Sequence, residues 1–185
     1  GIDADHWVDT LPLSPLLFPL KPYHSLLKDE KFFPDELNNP RNDAIKAKDL
    51  FYDEVAQFRA LDPKLRDLYS LLLAKNEYFR GFLSYVGAIG TGNVRELITS
   101  LFGEEICINA PLDDLISKLP CELAFCLANI STLDRHSTLP AWVRMQFPDV
   151  NRVMHLLRGQ RCSEGCLYCN QVLDPHSGLH SIFGS

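Results

Sequence analysis

No stretch of this chain approaches the roughly 18–20 consecutive apolar residues that a bilayer-spanning helix needs, and none reads as a secretory leader. Membrane insertion is therefore not expected. Internal repeats and low-complexity tracts are also missing, which argues against solenoids and arrays. Basic charge is scarce: 18 Lys and Arg stand against 24 Asp and Glu, a net charge of −6. That balance excludes a protein that coats nucleic acid through bulk electrostatics. A methionine is absent from the first position. The start Gly1-Ile2-Asp3 is read as that of a processed product or of a piece cut from a longer chain.

What is present fits a soluble globular protein. Hydrophobic residues make up 46% of 185 and charged ones 23%, enough for one domain with a real core and an attached arm. The arm is set by proline. Pro12, Pro15, Pro19, Pro22, Pro34 and Pro40 all fall in the first forty residues, half of the 12 in the chain. Each removes an N–H and restricts its neighbour, so Leu11–Leu20 is expected to be extended, not helical. It is too apolar to float free in water. Residues 1–41 are accordingly read as an extended proline-rich arm lying along its own domain, the favoured arrangement, or along a partner.

From Asn42 the spacing turns helical, and residues 42–158 are read as a helical domain. Asn42 or Asp43 caps a helix on which Phe51, Tyr52, Val55 and Phe58 share a face. Asp62-Pro63 supplies an N-cap and a first-turn proline for the next. That helix is predicted to run to Gly87 on Leu65, Leu68, Tyr69, Leu72, Phe79, Phe82, Leu83 and Val86, and to be the central, most buried one. Gly87–Asn93 reads as a helix stop and turn; it has no lysine where a phosphate-binding loop requires one. A helix over Val94–Phe102, a short strand over Glu105–Asn109 and proline-opened helices over Leu112–Leu119 and Cys121–Ile130 follow. The last are a segment over Ala141–Phe147 and a helix from Pro148 that Gly159 stops.

The chemistry sits in the final segment, 159–185. Six cysteines would allow three disulfides in a secreted protein, but Cys162, Cys166 and Cys169 crowd into eight residues, where mutual disulfides would be strained. Metal-bound thiolates in a reducing cytoplasm are the simpler account. Cys-x3-Cys-x2-Cys brings three soft ligands to one point, and Gly165 relaxes the backbone where it curls. Zinc wants a fourth donor. His176 is the first choice, His180 the second, and Cys121 or Cys126 from the preceding helices the long-range alternative. Five arginines, Arg135, Arg144, Arg152, Arg158 and Arg161, lead into this loop against only Asp134 and Asp149. Of these, Arg144, Arg152, Arg158 and Arg161 form a candidate contact surface for nucleic acid or an acidic partner. Elsewhere Asp3, Asp5, His6 and Asp9 make only a weak metal-contact candidate at the chain terminus, and Asp134 with His136 lacks a convincing nucleophile, Ser137 being merely adjacent. Asp113-Asp114 and Glu104-Glu105 are read as lying next to helix starts, where acids favour the dipole.

With Tyr168 before the last cysteine and Asn170 after it, the loop resembles the cluster loop of radical S-adenosylmethionine enzymes. That resemblance implies Cys162, Cys166 and Cys169 on three irons of a 4Fe–4S cluster. In that family the loop precedes a large barrel, so this reading requires a fragment of a larger enzyme. A second resemblance suits the position better. Arg161-Cys162-Ser163-Glu164-Gly165-Cys166-Leu167-Tyr168-Cys169, followed by Asp174-Pro175-His176, is similar to the C-terminal cysteine-rich module of certain superfamily-2 DNA helicases and of helicase-associated bacterial defence and repair proteins. Cys162, Gly165, Cys166 and Cys169 match its Cys-x-x-Gly-Cys-x-x-Cys pattern, and His176 stands where that module has another cysteine. The resemblance implies a structural zinc and a link to DNA-processing machinery. It covers no helicase motor.

The sequence thus predicts a mostly α-helical, cytoplasmic, non-catalytic zinc-binding subunit of a larger, DNA-linked complex, contacting protein partners through the proline-rich arm and the arginine-bearing C-terminal face, with nucleic acid a candidate ligand of the arginines. The alternatives are the iron–sulfur enzyme fragment and a protein-only assembly factor of a secretion or viral machine.

Overall fold

The structure is a computed structural model that describes residues 8–21, 40–132, 139–159 and 166–172. Among the described residues there are ten α-helices and no strand. None of these helices is long and apolar enough to cross a membrane.

The segment expected to be wholly extended makes one turn of helix, α1, at Ser14–Leu17. Pro15 lies in its first turn, where the missing N–H would have had no partner in any case, and the Phe18 N–H closes it on the Ser14 carbonyl at 2.8 Å. A proline-dense stretch thus tolerates a helix as short as its first turn. Pro12 to Leu17 are buried, and α1 packs against α2 (Pro40–Ala60) and α7 (Pro120–Ile130).

Helix α2 begins at Pro40, ahead of the expected Asn42. It buries Glu54, Val55 and Phe58 and leaves most of its other side exposed. Helix α3 (Pro63–Leu73) starts as its sequence predicts, with the Asp62 carboxylate accepting the Lys64 N–H at 2.8 Å. It does not run on to Gly87. The chain breaks at Ala74–Asn76, and Asn76 in an extended conformation caps a separate α4 (Glu77–Val86) by accepting the Tyr78 N–H at 2.9 Å. The apolar stripe continues across the break, which is why spacing alone fuses the two helices. Gly87 then ends α4 at φ 66°, with its own N–H on Ser84 and the Ala88 N–H on Leu83, a pairing that only a left-handed residue permits cheaply. Three residues on, the loop presses against α3. A Cβ at Gly90 would stand 2.6 Å from a Leu71 side-chain atom and 2.7 Å from the Asp67 carbonyl. Its glycines serve turning and close packing.

Asn93 caps α5 (Val94–Phe102) through the Glu96 N–H, and α6 (Leu112–Lys118) follows Pro111. Between them the expected strand is absent. Glu105 and Ile106 donate to the Phe102 carbonyl and Ala110 to the Cys107 carbonyl, so Glu105–Asn109 is a series of turns.

The most buried helix is α7, in place of the predicted Pro63–Val86 stretch. Leu123 through Leu127 are fully buried, on every side of the helix. Past Glu122 it carries no charge, and Ala124, Cys126 and Ala128 are small enough to let neighbours approach. Helices α1, α3, α6 and α9 (Val150–Met154) surround it. Cys126 donates its thiol proton to the Val150 carbonyl at 3.2 Å, tying α9 to this hub. Helix α8 (Ala141–Gln146) precedes α9, which begins two residues after Pro148.

One core group is expensive. The Glu54 side chain is 0% exposed, neither carboxylate oxygen has a hydrogen-bond partner among the described residues, and burial, only partly offset by Lys21, pushes its pKa from 4.5 up to about 9. The folded state therefore favours the protonated acid. Stability from this group is complete below about pH 4.5 and is lost as pH rises towards 9. Glu54→Gln should raise the unfolding free energy at pH 7 by roughly 2–3 kcal/mol and have little effect at pH 4, read from urea melts at both pH values.

Candidate metal centre

The site forms where α9 loosens. After Met154 the helix widens into a π turn at His155–Gly159. Two successive carbonyls of that turn bond outside the helix. Leu157 accepts the Cys107 N–H at 2.8 Å, and Arg158 accepts the Tyr168 hydroxyl proton at 2.8 Å. Terminal helix carbonyls need such partners, and here the partners come from the two segments that carry the sulfurs.

The first is the turn between α5 and α6. It places Cys107 inward while Ile108 stays exposed. The second is α10 (Leu167–Val172), with Cys166 just before it and Cys169 in its first turn. The Sγ atoms of Cys107, Cys166 and Cys169 all lie within 4.8 Å of one another, and those of Cys107 and Cys169 are 3.7 Å apart. Thiolates about 2.3 Å from one tetrahedral ion stand about 3.8 Å apart, so the set has the chemistry and the spread to hold a metal ion. Cys107, Tyr168 and Cys169 are buried as a small cluster of their own, separate from the main core, with Cys166 half-buried at its edge.

Polar groups surround the sulfurs. Tyr168 is fully buried, and burial raises its pKa, against the Arg158 guanidinium that lies 5.1 Å over its ring. Arg158 Nε is buried without a hydrogen-bond partner among the described residues, as is one Glu105 carboxylate oxygen. Burial raises the Glu105 pKa, with Arg158 opposing the shift. A cation thus stands beside the cluster on which thiolate charge would collect.

Of the residues singled out in the sequence, Cys166 and Cys169 come together. Cys162, His176, His180 and Arg161 lie outside the described residues. Cys121 and Cys126, the long-range alternatives, sit in the main core. Burial pushes the Cys121 thiol up to about 11 and raises that of Cys126 as well, which keeps both protonated. The long-range sulfur is Cys107, which the sequence reading passed over as part of a short strand. Its signal is slight: a lone cysteine between two isoleucines, far upstream of the loop. The arginines separate. Arg144 is exposed on α8, Arg152 is exposed and 3.4 Å from Asp149, and Arg158 is half-buried beside the cysteines.

Comparison with protein-family models, with curated proteins and with solved structures finds no match to this chain.

Removing the hydroxyl that reaches the π turn tests the frame independently of any ion. Tyr168→Phe should cost about 1 kcal/mol in denaturant unfolding and leave the Arg158 carbonyl without that partner. An unchanged midpoint would show that this bond does not hold α10 in place.

Proposed function

We propose that this chain is a zinc-stapled, non-catalytic interaction subunit of a larger cytoplasmic assembly. The observation that carries the reading is the convergence of Cys107 with Cys166 and Cys169, across 62 residues in the case of Cys107 and Cys169. A three-sulfur set drawn from two segments, with two of its sulfurs buried, gains most by fastening them together. In the unfolded chain it would not exist, so the binding free energy of the ion becomes folding free energy. The fourth donor falls to a residue outside the described set, with Cys162 and His176 favoured by sequence spacing.

Zinc is preferred to a 4Fe–4S cluster on geometry. In a cluster each thiolate binds its own iron, which holds the sulfurs farther apart than one ion does. A spread of no more than 4.8 Å suits a single ion. Thiolate binding in turn favours a reducing compartment. The link to a DNA-processing or defence complex rests on the resemblance of the C-terminal segment to the helicase-associated module. Arg144 and Arg152, both exposed, are the described residues left to offer phosphate contacts.

Protein purified without chelators or added metal should carry about one zinc per chain and no iron. Cys107→Ser should weaken Co2+ binding, followed by its sulfur-to-metal charge-transfer band, by more than about tenfold, whereas Cys121→Ser should not. Iron with inorganic sulfide would overturn the reading. For DNA, the double variant Arg144→Ala, Arg152→Ala should reduce the slope of log affinity against log salt by about 2. Wild-type protein with no salt-sensitive binding would leave protein partners alone.

A further inference from the structure

The three sulfurs of the metal centre are not equally sheltered. Cys107 and Cys169 are buried, while Cys166, ahead of the first turn of α10, is half-exposed. A small uncharged oxidant arriving from solvent therefore meets Cys166 first. Both other sulfurs lie within 4.8 Å of it, close enough to complete a disulfide by side-chain rotation and a small backbone shift. The remaining described cysteines have no such arrangement. Cys126 is fully buried and gives its proton to the Val150 carbonyl, and Cys121 is buried in the same helix.

We propose that Cys166 is a modification site for hydroperoxides and that its oxidation opens the metal centre. The metal half of the proposal rests on the zinc reading above. The Cys166 sulfur attacks one peroxide oxygen, the O–O bond breaks, and a sulfenic acid forms while the departing hydroxide takes up a proton as water. The thiolate of Cys107 or Cys169 then attacks the oxidised sulfur. An S–S bond forms, the S–O bond breaks, and the second hydroxide leaves as water. Two sulfurs have each lost one electron and the peroxide has gained two. The ion keeps its charge and is released, because a disulfide is no longer a thiolate ligand. The turn that carries Cys107 and α10 then stay together only through hydrogen bonds and packing, or through the disulfide itself when Cys107 completes it.

The test uses the unaltered full chain. Hydrogen peroxide is added in steps, zinc release is followed with a colorimetric chelator, and each cysteine is assigned by peptide mass spectrometry after thiol blocking. The expected result is release of the bound zinc in step with a disulfide that contains Cys166, while Cys121 and Cys126 react at least about tenfold more slowly. Zinc retained with all three thiols intact, or oxidation beginning at Cys121 or Cys126, overturns the proposal. Should the purified protein carry no zinc, the zinc reading fails, and the disulfide readout still decides whether Cys166 is the oxidised site. Cys166→Ser in that zinc-free protein should abolish the trio disulfide, and Cys121→Ser should leave it unchanged.

Discussion

Burial of α7 on all its sides is the constraint from which the remaining architecture follows. A helix with no polar face must be surrounded, and here α1, α3, α6 and α9 surround it. Its small residues set how near those neighbours come, and the bond from Cys126 to Val150 fixes α9 against it. The path of α9 decides where the π turn opens. The π turn in turn presents two carbonyls to the segments that bear Cys107 and Tyr168. The cysteine cluster is thus several packing decisions downstream of the hub, although it is built from a different and smaller set of buried residues.

Much of the helical order is legible because local chemistry declares it. Asp62-Pro63 states an N-cap and a first turn, Gly87 a left-handed stop, Asn93 and Pro111 the starts of two further helices, and each does what its residue type dictates. Legibility ends where two signals compete. Asn76 caps a new helix within a stripe whose apolar spacing runs on uninterrupted, and spacing conceals the cap. Pro15 discourages a helix by count but favours one by position. The rank of α7 as the central helix is hidden for another reason. Amphipathic helices advertise a face, whereas a helix apolar all round has no face to advertise.

The cysteine site divides along the same line. Cys166 and Cys169 stand three residues apart at the start of α10, and their spacing alone brings them together. Cys107 joins them through tertiary structure, by way of a backbone bond to Leu157 that no local pattern encodes. Cys121 and Cys126 are nearer in sequence to the loop and chemically identical, yet helix geometry turns them into the main core, where their protons stay on. Sequence proximity is the wrong measure because the chain between α5 and α10 builds the hub itself before the π turn returns to Cys107.

That return path bears on how this end of the protein can be inherited or moved. A loop whose sulfurs all lay within a few residues would be a cassette, able to pass between unrelated chains with its ion-holding capacity intact. Here one sulfur belongs to the α5–α6 turn, and its amide is committed to the π turn. Transplanting residues 159–185 onto a foreign helix would carry away Cys166 and Cys169 and leave their third companion behind. In a lineage of such proteins, position 107 would vary in concert with 166 and 169, and a search confined to the terminal segment would see only two thirds of the described sulfur set.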